Sequence, residues 1–125
     1  GEPGIYSARY AGENASDEDR TALLLTKLKH IPSNLRVCRF RCELAVSLPG
    51  GLVNGFTGEC QGRVALKPLG INGFGYDPVF LIPELGKTMA QLSSEQKNVI
   101  SHRGKACLNA RASFLEGNNK EGLYD

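Results

Sequence analysis

The sequence has little net charge, few cysteines and no long apolar run, and each shortage excludes a class of protein. Lysine and arginine number 15 against 13 aspartates and glutamates, a formal charge of +2. A balance so close to zero argues against a polybasic nucleic-acid arm and against an acidic tail. No apolar stretch approaches the roughly 20 residues of a membrane span. The start, GEPGIYSARY, has neither the basic residues nor the apolar core of a signal peptide. It also lacks Met, which points to processing or to a piece of a longer chain. What is left is one globular domain over residues 1–125, with 41% hydrophobic and 22% charged residues. A chain of this length can bury roughly two-thirds of its unfolded surface, enough for one core.

Four cysteines, at 38, 42, 60 and 107, are too few for a disulfide scaffold, and no C-x-x-C pair occurs. Cys38 and Cys42 share a strand face but lie about 13 Å apart at ~3.3 Å per residue, too far to bridge or to share a metal. Buried, reduced thiols of an intracellular protein are the expectation. His30 offers no ligand spacing, so zinc through the thiols and His102 is the lesser reading. Glycine is plentiful at 15 residues, many of them between 50 and 75, which predicts turns and close backbone approach there.

Residues 1–15 read as an irregular lead-in anchored by Tyr6 and Tyr10. Ser16, with an acid three residues on, predicts a helix start. Leu24, Leu28 and Ile31 then give it an apolar face, and Pro32 stops it. Residues 36–48 alternate, with Cys38, Phe40, Cys42, Leu44, Val46 and Leu48 on one face and Arg39, Arg41, Glu43 and Ser47 on the other. Pro49-Gly50-Gly51 is a turn, and residues 52–64 alternate again. The pair predicts a long β-hairpin with one buried face. A glycine loop over 65–78 leads to a short strand, Val79 to Ile82, ended by Pro83 and Gly86. Ser93-Ser94-Glu95-Gln96 reads as a capping box. The helix that follows presents Val99, Ala106, Ala110 and Phe114 to about Glu116, with Gly104 as a break or kink and a frayed, polar 117–125.

Three clusters could carry chemistry. Gly70-Ile71-Asn72-Gly73-Phe74-Gly75-Tyr76-Asp77-Pro78 is neither a P-loop nor a dinucleotide fingerprint, because no G-K-[ST] follows these glycines at the P-loop spacing and Pro78 leads into a strand rather than a helix. Glycines let a backbone approach a ligand, an aromatic can stack on a base, and a carboxylate can accept from a ring N–H or hold a cation. The plainer reading is a glycine turn. Lys97, Ser101, His102 and Arg103 form the second cluster. Lys97 and Arg103 suit a phosphate or keto oxygen; a solvated helix face is the alternative. In one unbroken helix Lys97 and His102 stand about 140° apart, so both serve one ligand only if the helix bends. Ser7-Ala8-Arg9-Tyr10 is the third, an arginine between tyrosines that suits an interface or a surface loop. Acids between 13 and 19 could bind Mg²⁺, but acidic first turns are ordinary in helices. No G-x-S-x-G elbow and no H-E-x-x-H occurs.

Taken together, three segments resemble the inosine triphosphate pyrophosphatase family: Pro3-Gly4-Ile5-Tyr6-Ser7-Ala8-Arg9-Tyr10-Ala11-Gly12, then Gly73-Phe74-Gly75-Tyr76-Asp77-Pro78-Val79-Phe80 with Gly86-Lys87-Thr88, then Glu95-Gln96-Lys97-Asn98 with Ile100-Ser101-His102-Arg103-Gly104. The resemblance implies an α/β fold: a strongly twisted mixed sheet, a long β-hairpin lobe, flanking helices and an active site in a cleft. It implies Mg²⁺-dependent hydrolysis of ITP, dITP and XTP to the monophosphate and pyrophosphate, in a homodimeric cytosolic enzyme that clears deaminated purines from the nucleotide pool. It places Phe74, Gly75, Tyr76 and Asp77 at the base, with Phe74 stacked on it, and adds Lys97, His102 and Arg103 to the substrate site. Tyr6, Arg9 and Tyr10 are the expected dimer contacts.

The chain departs from that family at its start. The expected N-terminal strands, their Thr/Ser-Gly-Asn loop and an Asp-Asp-Ser-Gly segment with the catalytic carboxylate and metal ligands have no match in these residues. The chain therefore reads as the C-terminal two-thirds of the fold, with its catalytic acid upstream of Gly1 and no metal ligands of its own. The expected activity belongs to the whole enzyme rather than to these 125 residues alone. A silent purine-nucleotide-binding module and an interaction fragment are the rival readings.

Overall fold

A computed structural model describes the backbone of residues 1–124 and the side chains of residues 1–114. Three α-helices, α1 (Asp17–Lys27), α2 (Ser94–Ile100) and α3 (His102–Tyr124), accompany four strands, β1 (Val37–Ser47), β2 (Val53–Val64), β3 (Phe80–Ile82) and β4 (Lys87–Thr88). The strands run β1-β2-β3-β4 in one sheet, so the expected α/β class holds. The β2/β3 and β3/β4 pairs are antiparallel, with Val64 opposite Phe80 and Leu81 opposite Thr88. The chain divides into two compact units, each made of two stretches: Gly1–Cys38 with Gln61–Ser94, and Arg39–Cys60 with the chain from Glu95 onward.

In the first unit, α1 begins as the sequence predicts. Ser16 Oγ accepts from the Asp19 amide at 3.1 Å and an Asp19 carboxylate oxygen accepts from the Ser16 amide at 3.0 Å, a reciprocal cap that satisfies two helix-end donors. Its end differs from expectation. The helix stops at Lys27, well before Pro32, and Ile31 lies outside it and is exposed. The chain turns at that point: the Leu28 carbonyl accepts from the Ile31 amide at 2.9 Å and also from the buried Arg36 guanidinium at 2.9 Å, which donates to the Ala65 carbonyl at 3.1 Å as well. The apolar core of this unit is Val64, Ala65, Val79, Phe80, Ile82, Met89, Ala90 and Leu92. Val79 belongs to a 3₁₀ turn, Asp77–Val79, so the short strand starts one residue later than predicted.

In the second unit the hairpin alternates as expected, with Gly50 and Gly51 turning at φ 96° and 89°. The inward face of β1 is half-buried rather than buried. Of the cysteines only Cys60 is buried; Cys38 and Cys42 are half-buried and Cys107 is exposed, a correction to the buried-thiol expectation. The exposed face carries a ladder of charges, with Arg39 and Arg41 both reaching Glu59 at 3.3 and 3.8 Å.

The long C-terminal helix is two helices. The break falls at Ser101, not at Gly104. Ser101 donates its amide to the Lys97 carbonyl at 2.8 Å, while its Oγ accepts from the Gly104 amide at 3.0 Å and so caps α3. Gly104 lies in the first turn of α3, where a Cβ would sit 2.2 Å from the Asn98 carbonyl. The glycine is there for close approach of the two helices. Of the expected apolar face Ala106 and Ala110 are buried, whereas Val99 and Phe114 are exposed. The helix runs on to Tyr124, past the expected end at Glu116. No proline follows Glu116, and glycine or asparagine within a helix costs only about 1 kcal/mol or less.

Replacing Gly104 by Ala is expected to destabilise the chain by about 1–3 kcal/mol in urea unfolding, because backbone must move. Ser101→Ala is expected to cost about 1 kcal/mol through loss of the cap. A neutral Gly104→Ala would show that the two helices have room to separate.

Candidate functional site

The glycine loop of the first unit is a braced structure. Its stem is held where Leu69 donates its amide to the Pro78 carbonyl at 2.9 Å and accepts the Thr88 hydroxyl at 2.6 Å. Asn72 donates its amide to the Ala90 carbonyl at 2.9 Å and its side chain to the Leu92 carbonyl at 3.2 Å. Past that point the chain turns through Gly73 and Gly75 at φ 75° and 62°, left-handed conformations that side chains rarely adopt. Asp77 is 4% exposed, and its carboxylate accepts from the Phe74 amide at 3.1 Å. Phe74 itself is 60% exposed. The loop thus offers a large aromatic outward from a backbone fixed beneath it, which suits stacking on a flat base. Asp77 braces this loop from inside, a use of its carboxylate that the sequence reading did not foresee.

Two further residues hold the loop from outside. The Gly75 amide donates to a carboxylate oxygen of Asp17 at 2.9 Å, from the first turn of α1. The other Asp17 oxygen accepts from Arg20. Arg20 also donates to the carbonyls of Ala8 at 3.0 Å and Ala15 at 2.7 Å, so one guanidinium ties the lead-in, the helix start and the loop. The Tyr76 hydroxyl completes the frame by donating to the Ser7 carbonyl at 2.7 Å. Sequence reasoning passed over Arg20 and treated Asp17 as an ordinary first-turn acid. The available signal was an arginine at i+3 from an acid; its backbone partners are set by tertiary structure alone.

The electrostatics follow from these contacts. The Arg20 hydrogen bond, aided by the Gly75 amide, holds the Asp17 carboxyl below its ordinary value of 3.8. Burial pushes the Tyr76 hydroxyl above its ordinary 10.0, keeping the neutral, donating form in place.

Of the remaining predicted residues, Tyr6, Arg9 and Tyr10 fall in the first unit. Gly4–Arg9 is a 3₁₀ segment rather than irregular chain, with the Arg9 guanidinium 5.3 Å from the Tyr6 ring centre. The Lys27 ammonium stands 4.7 Å from the Tyr10 ring. Lys97, His102 and Arg103 fall in the second unit. Lys97 is half-buried on α2; His102 and Arg103 open α3, half-buried and exposed in turn. The break at Ser101 separates Lys97 from His102, so the 140° angle of a single ideal helix no longer applies to them. The His102 ring packs on Phe40, centroids 5.0 Å apart and planes inclined by 36°.

A divalent cation needs several oxygen or nitrogen donors at one point. Among the described residues no three His, Cys, Asp or Glu side chains gather in that way. Asp17 is already neutralised by a guanidinium, the wrong surrounding for a second cation. These residues do not fit a Mg²⁺ site.

Comparison with known proteins adds the following. The Ham1 family profile matches residues 1–113. The dITP/XTP pyrophosphatase of Geobacter sulfurreducens is 52% identical over 106 residues, which are 85% of this chain and 53% of that protein. That of Bacillus subtilis is 49% identical, covering 85% of this chain and 54% of its own length. Among solved structures, the Staphylococcus aureus Ham1 protein superposes with a TM-score of 0.86 at 52% identity, over 94% of this chain and 60% of its own. A HAM1 protein from Coxiella burnetii does so with 0.83 at 38% identity, over 92% and 59%. The chain thus spans about half the length of the curated relatives it matches.

Because the fold depresses the Asp17 carboxyl, its contribution to stability is complete above the unfolded value and is lost as pH falls through the folded one. In an NMR titration the Gly75 amide is expected to report a midpoint below 3.8. With Arg20→Gln that midpoint is expected to rise toward the ordinary carboxylate value. A midpoint that ignores Arg20 would remove the guanidinium as its cause.

Proposed function

The chain belongs to the Ham1 family, and on that premise we propose that it is the base-recognising portion of a pyrophosphohydrolase acting on deaminated purine nucleoside triphosphates. The reaction is hydrolysis of ITP, dITP or XTP to the monophosphate and pyrophosphate. The observation that carries this reading is the Gly73–Pro78 loop, with Phe74 exposed on a backbone braced by Asp77 and Asp17. The names of relatives at about half identity, dITP/XTP pyrophosphatase, agree with it.

Phe74 is assigned to stacking on the base and Gly75–Asp77 to its close backbone approach. The family resemblance assigns Lys97, His102 and Arg103 to the substrate as well. Their chemistry gives a reason for the choice of base. Hypoxanthine and xanthine carry an acceptor oxygen at position 6, where adenine carries a donor amine. Lysine and arginine can only donate. A buried adenine amine facing them loses about 1–3 kcal/mol, a ten- to hundred-fold discrimination. Guanine also carries a 6-keto oxygen, so these donors leave its rejection to other contacts.

Dependence on Mg²⁺, a homodimer contacted through Tyr6, Arg9 and Tyr10, and a cytoplasmic location complete the proposal for the whole enzyme. The donor set favours a second reading for these residues by themselves: binding without turnover. Deaminated purine nucleotides bind, and the phosphate and metal chemistry comes from elsewhere.

Pyrophosphate release from ITP, with ATP as control and Mg²⁺ present, separates the two. The chain alone is expected to bind ITP without releasing pyrophosphate. Joined to the part of the Staphylococcus aureus Ham1 protein that it does not cover, it is expected to turn over ITP in preference to ATP. In that context Phe74→Ala and Arg103→Ala are each expected to lower ITP hydrolysis about ten-fold or more. Unchanged kinetics in both variants would remove the base-site assignment.

A further inference from the structure

Asp17 and Arg20 lie outside every substrate contact assigned above, yet between them they make four hydrogen bonds. A neutral acceptor would be enough to satisfy the Gly75 amide. The structure instead uses a carboxylate, set 58 positions away in sequence and gripped from behind by an arginine. A charged acceptor makes a bond roughly twice as strong as a neutral one. The grip also fixes where the carboxylate points. The Arg20 side chain is only 16% exposed and is itself tied to the Ala8 and Ala15 carbonyls, so it holds the half-exposed anion from a fixed position.

The same arginine reaches the loop by two routes. One runs through Asp17 to the Gly75 amide. The other runs through the Ala8 carbonyl to the adjoining residue Ser7, whose carbonyl takes the Tyr76 hydroxyl. Gly75 and Tyr76 directly follow Phe74 in sequence. A stacking ring acts well only when its backbone holds it to about half an ångström.

We propose that Asp17 and Arg20 are positioning residues for purine recognition: they touch no base, and they set the course of the Phe74–Tyr76 backbone from the first turn of α1. The inference rests on the reading of that loop as the purine-facing element. Asp19 supplies the internal comparison. It has the same charge, sits in the same helical turn and makes the same class of bond, but it closes the cap on Ser16 and has no bond to the loop. A merely structural role for the acids of this turn would make Asp17 and Asp19 equivalent.

The test uses the whole 125-residue chain. Hydrogen exchange of the Gly75 amide is measured by NMR, and ITP affinity by calorimetry, in Asp17→Ala, Asp17→Asn, Arg20→Lys and Asp19→Ala. Asp17→Ala is expected to speed Gly75 exchange and to weaken ITP binding, each about ten-fold. Asp17→Asn, which keeps an acceptor oxygen, is expected to recover part of both. Arg20→Lys keeps the charge without the planar fork and is expected to behave like Asp17→Ala. Asp19→Ala is expected to lower the melting temperature and leave Gly75 exchange and ITP affinity at wild-type values. Equal effects of Asp17→Ala and Asp19→Ala on both readouts, or unchanged Gly75 exchange in Asp17→Ala, would overturn the inference. A wild-type chain that binds no ITP would overturn its purine half together with the reading beneath it. The exchange comparison, which needs no ligand, then upholds or overturns the positioning half.

Discussion

The guanidinium of Arg20 is the point on which the glycine-loop side of the first unit depends. Its donors are shared among two backbone carbonyls and one carboxylate, drawn from the 3₁₀ lead-in, the residue before the Ser16 cap and the first turn of α1. None of those partners could be satisfied as well by a lysine, whose ammonium is a point charge without a planar fork. Through Asp17 the same network reaches the Gly75 amide, so a helix cap, a lead-in and a glycine loop become one frame. The frame leaves Phe74 exposed over a fixed backbone.

The second unit is organised by a different constraint, the interruption of its helical stretch at Ser101. A single residue ends α2 and caps α3, using its amide for the first and its hydroxyl for the second. Gly104 permits this because only hydrogen fits against the Asn98 carbonyl. The result is a reorientation between Lys97 and His102 that a straight helix could not supply. His102 then opens α3 with its ring against Phe40 of the hairpin.

Three carboxylates are committed to holding structure. Asp77 is buried and braces its own loop; Asp17 is neutralised by Arg20; Glu59 is taken by two arginines.

Much of this was legible in the order of residues. The Ser16 cap, the hairpin with its alternation, and the glycine loop with an aromatic among glycines are all local patterns, decided by neighbours within a few positions. The resemblance of three segments to one family pointed to the same loop and to Lys97, His102 and Arg103. Other features were beyond it. At the early end of α1 the Leu28 carbonyl takes both the Ile31 amide and the guanidinium of Arg36, which also reaches Ala65, and Ile31 is exposed. Gly104 reads as a helix breaker by propensity, yet it sits inside α3 because of what lies against it. The sequence by itself determined the Ser16 cap, the hairpin and the glycine loop, because backbone propensity and side-chain period act locally. Only the tertiary structure decided that Asp17 and Arg20 brace the loop, since a guanidinium finds its carbonyls in space and not along the chain.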